Sequence, residues 1–478
     1  MFLLDEIERA DLWRQLTTTI ENYINQVAEL PVAPEIDLAA IRSRLEPFDF
    51  AKPHSSLATL NFAVDNLREF QVHTPHPRYF GLFNPAPTTM GIVADALVAS
   101  FNPQLAAWSH SPFASEVERH LIRVFAARFG YDAETADGTF CSGGAEANHT
   151  ALICALTQKF PRFAENGLRG LSKQPVLYVS SQSHHSFVKA ARFCGLGTDS
   201  VREIEIDANF CMSADDLAKQ IEIDQANNFA PFFAVATAGT TNGGTIDEIA
   251  KLAGIAADEN LWFHVDAAWG GAAAFVPELR EILCGIEQAD SITFDAHKWL
   301  SVPMGAGLYL TRHNDILNQA CRITTDYMPR NAAGSNVIDS YVHSMQWSRR
   351  FIGLKVFLSL AVAGWEGYEK AIRHQTAMGD LLRRKLEASE WKIINQTKLP
   401  VVCFTDARRT ATESAEHLDA IANGVVSSGK AWLSTTRLDA KTPVLRACVT
   451  NYRTEVADVL ALVQALNEAR QSCCVPLN

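Results

Sequence analysis

One lysine stands in an unusual place, directly after a predicted buried strand. Residues 291–294 form a short apolar run that favours a strand, and Lys298 follows between His297 and Trp299. A lysine held among apolar neighbours can act as an amine nucleophile and form a Schiff base with a carbonyl. The position therefore predicts that Lys298 binds an aldehyde cofactor. A solvated surface lysine remains the alternative on this pattern alone.

Further polar residues lie at the ends of predicted strands. Apolar runs occur at 176–180, 232–237, 261–266, 291–294 and 305–310, and helix-length segments separate several of them. This pattern is typical of a parallel α/β sheet, in which functional side chains gather at the carboxyl ends of the strands. Those ends carry Thr241, Asp266 and two histidines, His184 and His185. A carboxylate such as Asp266 needs a cationic or hydrogen-bonding partner there.

A glycine-containing stretch precedes a predicted helix. Ser142, Gly143, Gly144 and Ala145 stand before a helical run at 149–156. Free backbone N–H groups at a helix start attract anions, and glycine lets the backbone approach an anion closely. The stretch therefore predicts an anion site. Many turns have a similar composition, so this stretch supports an anion site only in combination with the other motifs.

Composition and charge narrow the class of protein. The 478 residues carry a formal net charge of -12, which disfavours nucleic acid or an anionic membrane as the main partner. The ten cysteines are scattered without a repeated CxxC pattern, so neither a metal site nor a disulfide framework is predicted. The N-terminus is acidic and no apolar run approaches about 20 residues. These features predict a soluble, cytoplasmic protein.

The chain divides into three predicted parts. Residues 1–85 have helical patterns but too few apolar residues for a core of their own, so they should pack on another domain or on a partner subunit. Residues 86–345 contain the predicted sheet, and residues 346–478 alternate helices with short strands, as in a smaller α+β domain. The polar stretch 322–340, which includes Tyr327, predicts a long surface loop.

Five motifs together resemble a known family. SGGAEAN (142–148), SQSHHS (181–186), HVDAAWGG (264–271), DAHKW (295–299) and QWSRRFIGLK (346–355) are similar in order and spacing to the group II pyridoxal-phosphate decarboxylases. This family includes aromatic amino acid, histidine, glutamate, cysteine sulfinate and 2,4-diaminobutyrate decarboxylases. The resemblance implies the α/β fold of type I PLP-dependent transferases, with a mostly parallel seven-stranded sheet. It also implies pyridoxal 5'-phosphate (PLP) as the cofactor and an obligate homodimer.

The resemblance implies roles for individual residues. Lys298 is similar to the lysine that holds the cofactor aldehyde, and Asp266 matches the carboxylate that keeps the pyridine nitrogen protonated. His184, in preference to its neighbour, matches the histidine stacked over the ring. Tyr327 matches a mobile-loop tyrosine that returns a proton, and Asp295 replaces an Asn of some relatives, which leaves its phosphate contact open. Further cofactor contacts are implied for Ser142, Gly143, Gly144, Ala145, Thr241, Ala268, Asp295 and His297.

The residues predicted to contact the substrate are mostly apolar and aromatic. They are Leu82, Phe83, Asn84, Ala106 and Trp108. No acid or base is clustered among them, so we favour an aromatic L-amino acid, converted to its amine and CO2. His110 and Arg78 keep glutamate, 2,4-diaminobutyrate or another non-aromatic substrate as the alternative. Amino transfer or aldehyde formation on the same fold is a further alternative, whereas the intact motifs argue against an inactive homologue.

Overall fold

The fold is built on two β-sheets that differ in strand direction. The computed structural model describes residues 2–323, 337–409, 414–439 and 441–473. Its strands are β1 (Asp137–Cys141), β2 (Pro175–Ser180), β3 (Val201–Ile204), β4 (Ala230–Thr237), β5 (Trp262–Asp266), β6 (Ser291–Asp295), β7 (Gly307–Thr311), β8 (Trp391–Ile393), β9 (Val401–Asp406), β10 (Ser434–Arg437) and β11 (Pro443–Cys448). The first seven form the large sheet and the last four the small one.

The large sheet brings the predicted strand-end residues to one edge. Within the described residues its strand order is β1-β7-β6-β5-β4-β2-β3. β7 runs antiparallel to β1 and β6, whereas the other neighbouring strands pair in parallel. The predicted seven-stranded, mostly parallel sheet is therefore confirmed. The register pairs Asp266 with Thr237 on one side and Thr293 on the other, so the ends of β4, β5 and β6 lie side by side.

Helices cover both faces of this sheet. The α-helices of the described part of the chain, on this sheet and elsewhere, are α1 (Glu6–Gln26), α2 (Leu38–Leu45), α3 (Ser56–Glu69), α4 (Thr89–Phe101), α5 (Pro112–Arg128), α6 (Gly144–Lys159), α7 (Phe163–Asn166), α8 (Ser186–Phe193), α9 (Ala214–Ala226), α10 (Ile249–Asp258), α11 (Pro277–Arg280), α12 (Ile316–Cys321), α13 (Gly353–Glu387), α14 (Ser414–Ser427) and α15 (Val456–Ser472). Successive strand residues enter different cores: Tyr178 packs in the cluster that contains Phe125, and Leu177 in the cluster that contains Phe187. Burial on both faces explains why these strands are apolar throughout.

The small sheet is antiparallel and lies beside the large one. Its order is β10-β11-β9-β8, and α13, α14 and α15 pack on it around a core that includes Phe404, Leu445 and Leu462. Arg446 of β11 donates from Nε to the Thr241 carbonyl over 2.9 Å. This contact joins the small sheet to the loop that follows β4, at the edge where the strand-end residues gather.

The three N-terminal helices lie on the surface of the chain. Asp5, Asp37 and Ser55 cap their first turns by accepting backbone N–H groups, which explains where each helix begins. None of α1, α2 or α3 contains a buried residue, and Trp13 on α1 is 55% exposed. The domain boundaries at 85/86 and 345/346 stay predictions. None of the helices in the described part of the chain has the length and apolar character needed to cross a membrane.

Candidate active site

Lys298 lies just beyond the end of β6, in a turn that folds back on the strand. Its backbone N–H donates to the Asp295 carbonyl over 3.2 Å, and its Nζ lies 3.1 Å from Asp295 Oδ2. The Lys298 side chain is 23% exposed, whereas that of Asp295 is 2% exposed. Nζ also lies 5.7 Å from the centre of the Phe83 ring. The amine is therefore fixed at the end of the sheet and still reachable from one side.

Asp266 ends the neighbouring strand β5 and is held by two neutral donors. Its Oδ1 accepts the backbone N–H of Ala268 over 3.1 Å, and its Oδ2 accepts Nδ2–H of Asn148 over 2.8 Å. Asp266 is buried, and among the residues that the structure describes it has no ion-pair partner within 4.0 Å. Hydrogen bonds to a carboxylate offset part of the cost of removing it from water.

The start of α6 presents free backbone N–H groups to the space at the sheet edge. The first N–H groups of a helix have no intrahelical acceptor, so those of Gly144 and Ala145 are available to an anion. Glycine is needed at 144 because a Cβ there would lie 2.9 Å from Asp295 Oδ2. Ser142 points elsewhere: its N–H and hydroxyl both donate to Glu146 Oε2, over 2.8 and 2.7 Å.

Asp295 and His297 lie buried beneath this helix start. His297 Nδ1 accepts the backbone N–H of Ala306 over 3.2 Å, and its Nε2 lies 3.9 Å from Asp295 Oδ2. Burial lowers the pKa of His297 below its usual value, and the carboxylate of Asp295 acts in the opposite direction. Asp295 Oδ1 is buried and finds no hydrogen-bond partner in the described part of the chain. A buried oxygen in this state marks a place for a further polar group.

His184, Thr241 and Ala268 reach the same space from other strand ends. His184 Nδ1 accepts the backbone N–H of Ser186 over 3.2 Å. Desolvation lowers the pKa of the His184 imidazole below its usual value, while the carboxylate of Asp266 raises it, although the ring remains accessible from the cavity. The direction of this shift favours the uncharged imidazole, which lines the cavity beside Asp266.

One cavity, of about 360 Å³, collects every residue predicted to contact the cofactor, from Ser142 to Lys298. Its size is within the range of small-molecule sites, about 300–1,000 Å³. It presents an amine at Lys298, a carboxylate at Asp266 and free N–H groups at the start of α6. PLP carries an aldehyde, a ring nitrogen and a phosphate, so the residues present fit this cofactor.

The predicted substrate residues do not all line the cavity that contains Lys298. Among the described residues the cavity wall includes Phe83 but not Leu82, Asn84, Ala106 or Trp108. Leu82 is 53% exposed, and the indole N–H of Trp108 donates to a glutamate on α5 over 2.9 Å. Neighbouring loop residues point in different directions, so their closeness in sequence does not place them in one pocket.

Of three other predicted residues, two lie apart from the cavity and one lies outside the described residues. His110 is exposed in a short helical turn, and Arg78 lies 4.0 Å from Asp458, so neither lines the cavity among the described residues. Tyr327 falls within residues 324–336, outside the described residues, and its proposed role as proton donor stays a prediction.

Two residues that contact Phe83 were not predicted from the sequence. Trp269 stacks on Phe83 and on Trp299, with ring centres 4.5 and 5.1 Å apart. The guanidinium of Arg446 also lies over the Phe83 ring, with its Cζ 4.9 Å from the ring centre. Trp269 stands inside the HVDAAWGG motif, which could have drawn attention to it. Nothing local in the sequence marks Arg446, because it reaches the site from the small sheet.

The geometry defines a PLP-binding enzyme of fold type I, and comparison with known proteins gives its family. The pyridoxal-dependent decarboxylase conserved domain matches residues 45–406. An aromatic-L-amino-acid decarboxylase of Bacillus atrophaeus is 31% identical over 469 residues, which are 96% of this chain and 95% of that protein. A cysteine sulfinic acid decarboxylase of Rattus norvegicus is 31% identical over 338 residues, 70% of this chain and 68% of that protein. The chain therefore belongs to the pyridoxal-dependent decarboxylase family.

Solved structures support the fold assignment. The Oryza sativa TDC with PLP and tryptamine matches with a TM-score of 0.91 and 23% identity, covering 98% of this chain and 99% of that chain. Mouse CSAD matches with a TM-score of 0.89 and 24% identity, covering 96% of this chain and 98% of that chain.

The protein is a PLP-dependent amino acid decarboxylase. When bound, PLP supplies an electron-accepting ring for the pair left by the departing carboxylate. The chain must then hold the amino acid, keep competing water away and return a proton to the carbon that lost CO2.

Proposed function

We propose that the substrate is an aromatic L-amino acid, which the enzyme converts to the corresponding amine and CO2. The observation that carries this proposal is the aromatic wall beside the reactive amine. Phe83 and Trp269 stack on each other and line the cavity, and Lys298 Nζ lies 5.7 Å from the Phe83 ring. A flat aromatic side chain gains dispersion and apolar burial against such a wall. Similarity to the Bacillus atrophaeus enzyme over nearly the whole chain supports the same choice.

The cofactor roles form part of this proposal. Lys298 would hold the aldehyde, Asp266 the ring nitrogen, and the N–H groups at the start of α6 the phosphate. His184 would cover one face of the ring, and Ala268 would line the opposite face. The support is their common cavity and the geometry of each donor and acceptor within it.

Lys298→Ala tests whether Lys298 is the tether, the residue that holds the cofactor aldehyde. Wild-type protein mixed with PLP should absorb near the border of the visible and ultraviolet, and the variant should lose that band and its decarboxylase activity while the apo fold, followed by circular dichroism, persists. Lys251→Ala, which changes an exposed lysine on α10, is the control. An unchanged band in Lys298→Ala would exclude this residue as the tether.

An acidic amino acid is the second candidate, favoured by Arg446. This side chain is 2% exposed, and its Nη2 has no hydrogen-bond partner among the described residues. Its Nε and Nη1 donate to the carbonyls of Thr241 and Gly81, so the spare nitrogen belongs to a fixed group. A spare N–H on a buried guanidinium suits a carboxylate, such as the one on the side chain of an acidic substrate.

A substrate panel separates the candidates. CO2 release should be measured as kcat/KM with L-tryptophan, L-tyrosine, L-DOPA, L-aspartate, L-glutamate, cysteine sulfinate and 2,4-diaminobutyrate. We expect the aromatic group to lead, and Phe83→Ala to lower kcat/KM for it by about tenfold, as expected for loss of one aromatic contact of about 1.4 kcal/mol. A preference for an acidic substrate would refute the aromatic assignment. Amine transfer without CO2 release would contradict decarboxylation of the substrate tested.

We also propose a homodimer. An apolar groove of about 450 Å³ lies between α4, α5 and α13, and Phe101 and Phe113 on its rim are 82% and 69% exposed. No residue of the three N-terminal helices is buried within one chain. Exposed apolar surface of this kind is typical of subunit interfaces.

A further inference from the structure

Asn148, which donates to Asp266, is the first of a buried chain of side chains that continues away from the cavity. Ser291 Oγ lies 2.8 Å from the indole Nε1 of Trp262 and 2.8 Å from His264 Nδ1. His264 Nε2 lies 3.2 Å from Asn148 Oδ1. Asn148 Nδ2 then lies 2.8 Å from Asp266 Oδ2. We call these four residues, from Trp262 to Asn148, the support chain; each is at most 1% exposed.

The carboxylate at one end sets the direction of the hydrogen bonds along the support chain. An ionised carboxylate only accepts, so Asn148 turns its amide N–H to Asp266 and its carbonyl to His264. That carbonyl only accepts, so His264 carries its proton on Nε2. At the far end the Trp262 indole only donates, so Ser291 accepts from it. With the proton of a neutral His264 on Nε2, its Nδ1 is an acceptor and takes the hydroxyl proton of Ser291.

The histidine is neutral in this arrangement. Burial lowers the pKa of His264 to about 4, although the carboxylate of Asp266 acts in the opposite direction. The support chain therefore brings no formal positive charge to Asp266. A cationic partner would neutralise the charge of the carboxylate. Neutral donors stabilise the anion and leave its negative charge available to a second partner.

We infer that the support chain, through Asn148 and His264, positions the Asp266 carboxylate as an anionic acceptor for the ring nitrogen of the cofactor. Asn148 and His264 are positioning residues, since they touch Asp266 or each other and not the reacting atoms. The inference rests on the proposed role of Asp266. It predicts that loss of the support chain weakens the interaction of Asp266 with the ring nitrogen and leaves the other cofactor contacts unchanged.

The test compares two ligands of the whole apo protein: PLP, and its 1-deaza analogue, in which C–H replaces the ring nitrogen. We expect Asn148→Leu and His264→Leu to weaken PLP binding by about tenfold, the scale of one lost hydrogen bond to a charged group, and to leave binding of the analogue unchanged. His264→Gln, which can offer an N–H to Asn148, should recover most of the loss. The absorbance of bound PLP as a function of pH should shift in the leucine variants alone.

Ser186→Ala is the matched control. Ser186 Oγ accepts from the same Asn148 Nδ2 over 2.9 Å but lies off the path to Asp266, so its removal should not change the ratio of the two affinities. Asn148→Ser gives the same comparison if a leucine variant does not fold, which the thermal midpoint of the apo protein reports.

The outcomes separate this inference from the proposal on which it rests. Equal losses for PLP and the analogue in the Asn148 and His264 variants would mean that the chain only maintains structure, and unchanged PLP binding would overturn the inference as well. Asp266→Asn is measured in parallel. If it discriminates between the ligands and the chain variants do not, the inference alone fails; if Asp266→Asn does not discriminate either, the proposed role of Asp266 fails.

Discussion

At the scale of single residues, the site depends on carboxylates held in different ways. Asp266 receives two neutral donors, whereas Asp295 lies 3.1 Å from the Lys298 ammonium and keeps one buried oxygen without a partner among the described residues. The first arrangement suits a permanent acceptor. The second leaves a negative group beside the helix start that we expect to bind phosphate, and like charges at short range repel.

Asp295→Asn should therefore tighten PLP binding. Removing the negative charge beneath the start of α6 should favour the phosphate by about 1 kcal/mol, or about fivefold in affinity. Titration of the apo variant with PLP and with pyridoxal, which lacks the phosphate, measures the effect. The gain should be confined to PLP; an equal gain for pyridoxal would show that the phosphate does not lie near this residue.

A pH dependence of stability follows from His264. Its folded-state pKa of about 4 lies below the usual value of 6.5, so the unfolded chain binds more protons between these values. Stability is complete above about pH 6.5 and falls as the pH is lowered toward 4, by about 3 kcal/mol for this one group. Thermal midpoints at pH 7 and pH 5 should show a smaller drop for His264→Gln than for wild type. Parallel drops in the two proteins would contradict a neutral buried histidine.

At the scale of elements, the start of α6 and the end of β6 are packed against each other. Gly144 begins the helix at the level of Asp295, and a Cβ at 144 would also lie 3.3 Å from the Cβ of Ala268. The helix start is therefore packed so closely on the sheet that a larger residue at 144 would require a shift. This contact sets where the free N–H groups stand relative to Lys298.

Gly144→Ala should weaken PLP binding by about tenfold, because the helix start must move away from Asp295 by a few tenths of an ångström. The thermal midpoint of the apo protein should change little. Gly254→Ala on α10 is the control: its added Cβ meets nothing within 4 Å, so cofactor affinity should be unchanged and stability should rise slightly. If Gly144→Ala bound PLP as tightly as the wild type does, the phosphate would be held elsewhere.

At the scale of the whole molecule, apolar surface remains uncovered in a single chain. The groove between α4, α5 and α13 and the outer faces of the N-terminal helices leave Phe101, Phe113 and Trp13 exposed. A chain of this size can bury its own core, so this surface indicates a second copy more than an unstable fold.

Light scattering should find a dimer, and Phe113→Asp should shift it toward the monomer because a charge cannot be buried unpaired at an apolar interface. Phe193→Asp is the matched control, since Phe193 is 73% exposed on α8 and does not line the groove. Circular dichroism should show both variants folded. A wild-type monomer would refute the proposed dimer, and a Phe113→Asp dimer would move its interface away from the groove.

The sequence by itself indicated five of the seven strands of the large sheet and a set of residues that share one cavity. Continuous apolar runs report burial on both faces, and the motif around Lys298 and Asp266 fixes which residues end the strands. Parallel pairing then brings those ends together without further information, so residues as distant as Ser142 and Lys298 were predicted for one cavity and lie in one.

Only the tertiary structure decided what surrounds them. Arg446 reaches the Thr241 carbonyl across 205 positions, and Asn148 reaches Asp266 across 118. Trp108, predicted for the pocket, turns to α5 instead. Local periodicity reveals which face of an element is buried, but not which side chain of another element meets it. Contacts between elements depend on how the sheets, helices and loops pack. The residues that would contact a substrate depend on the same packing.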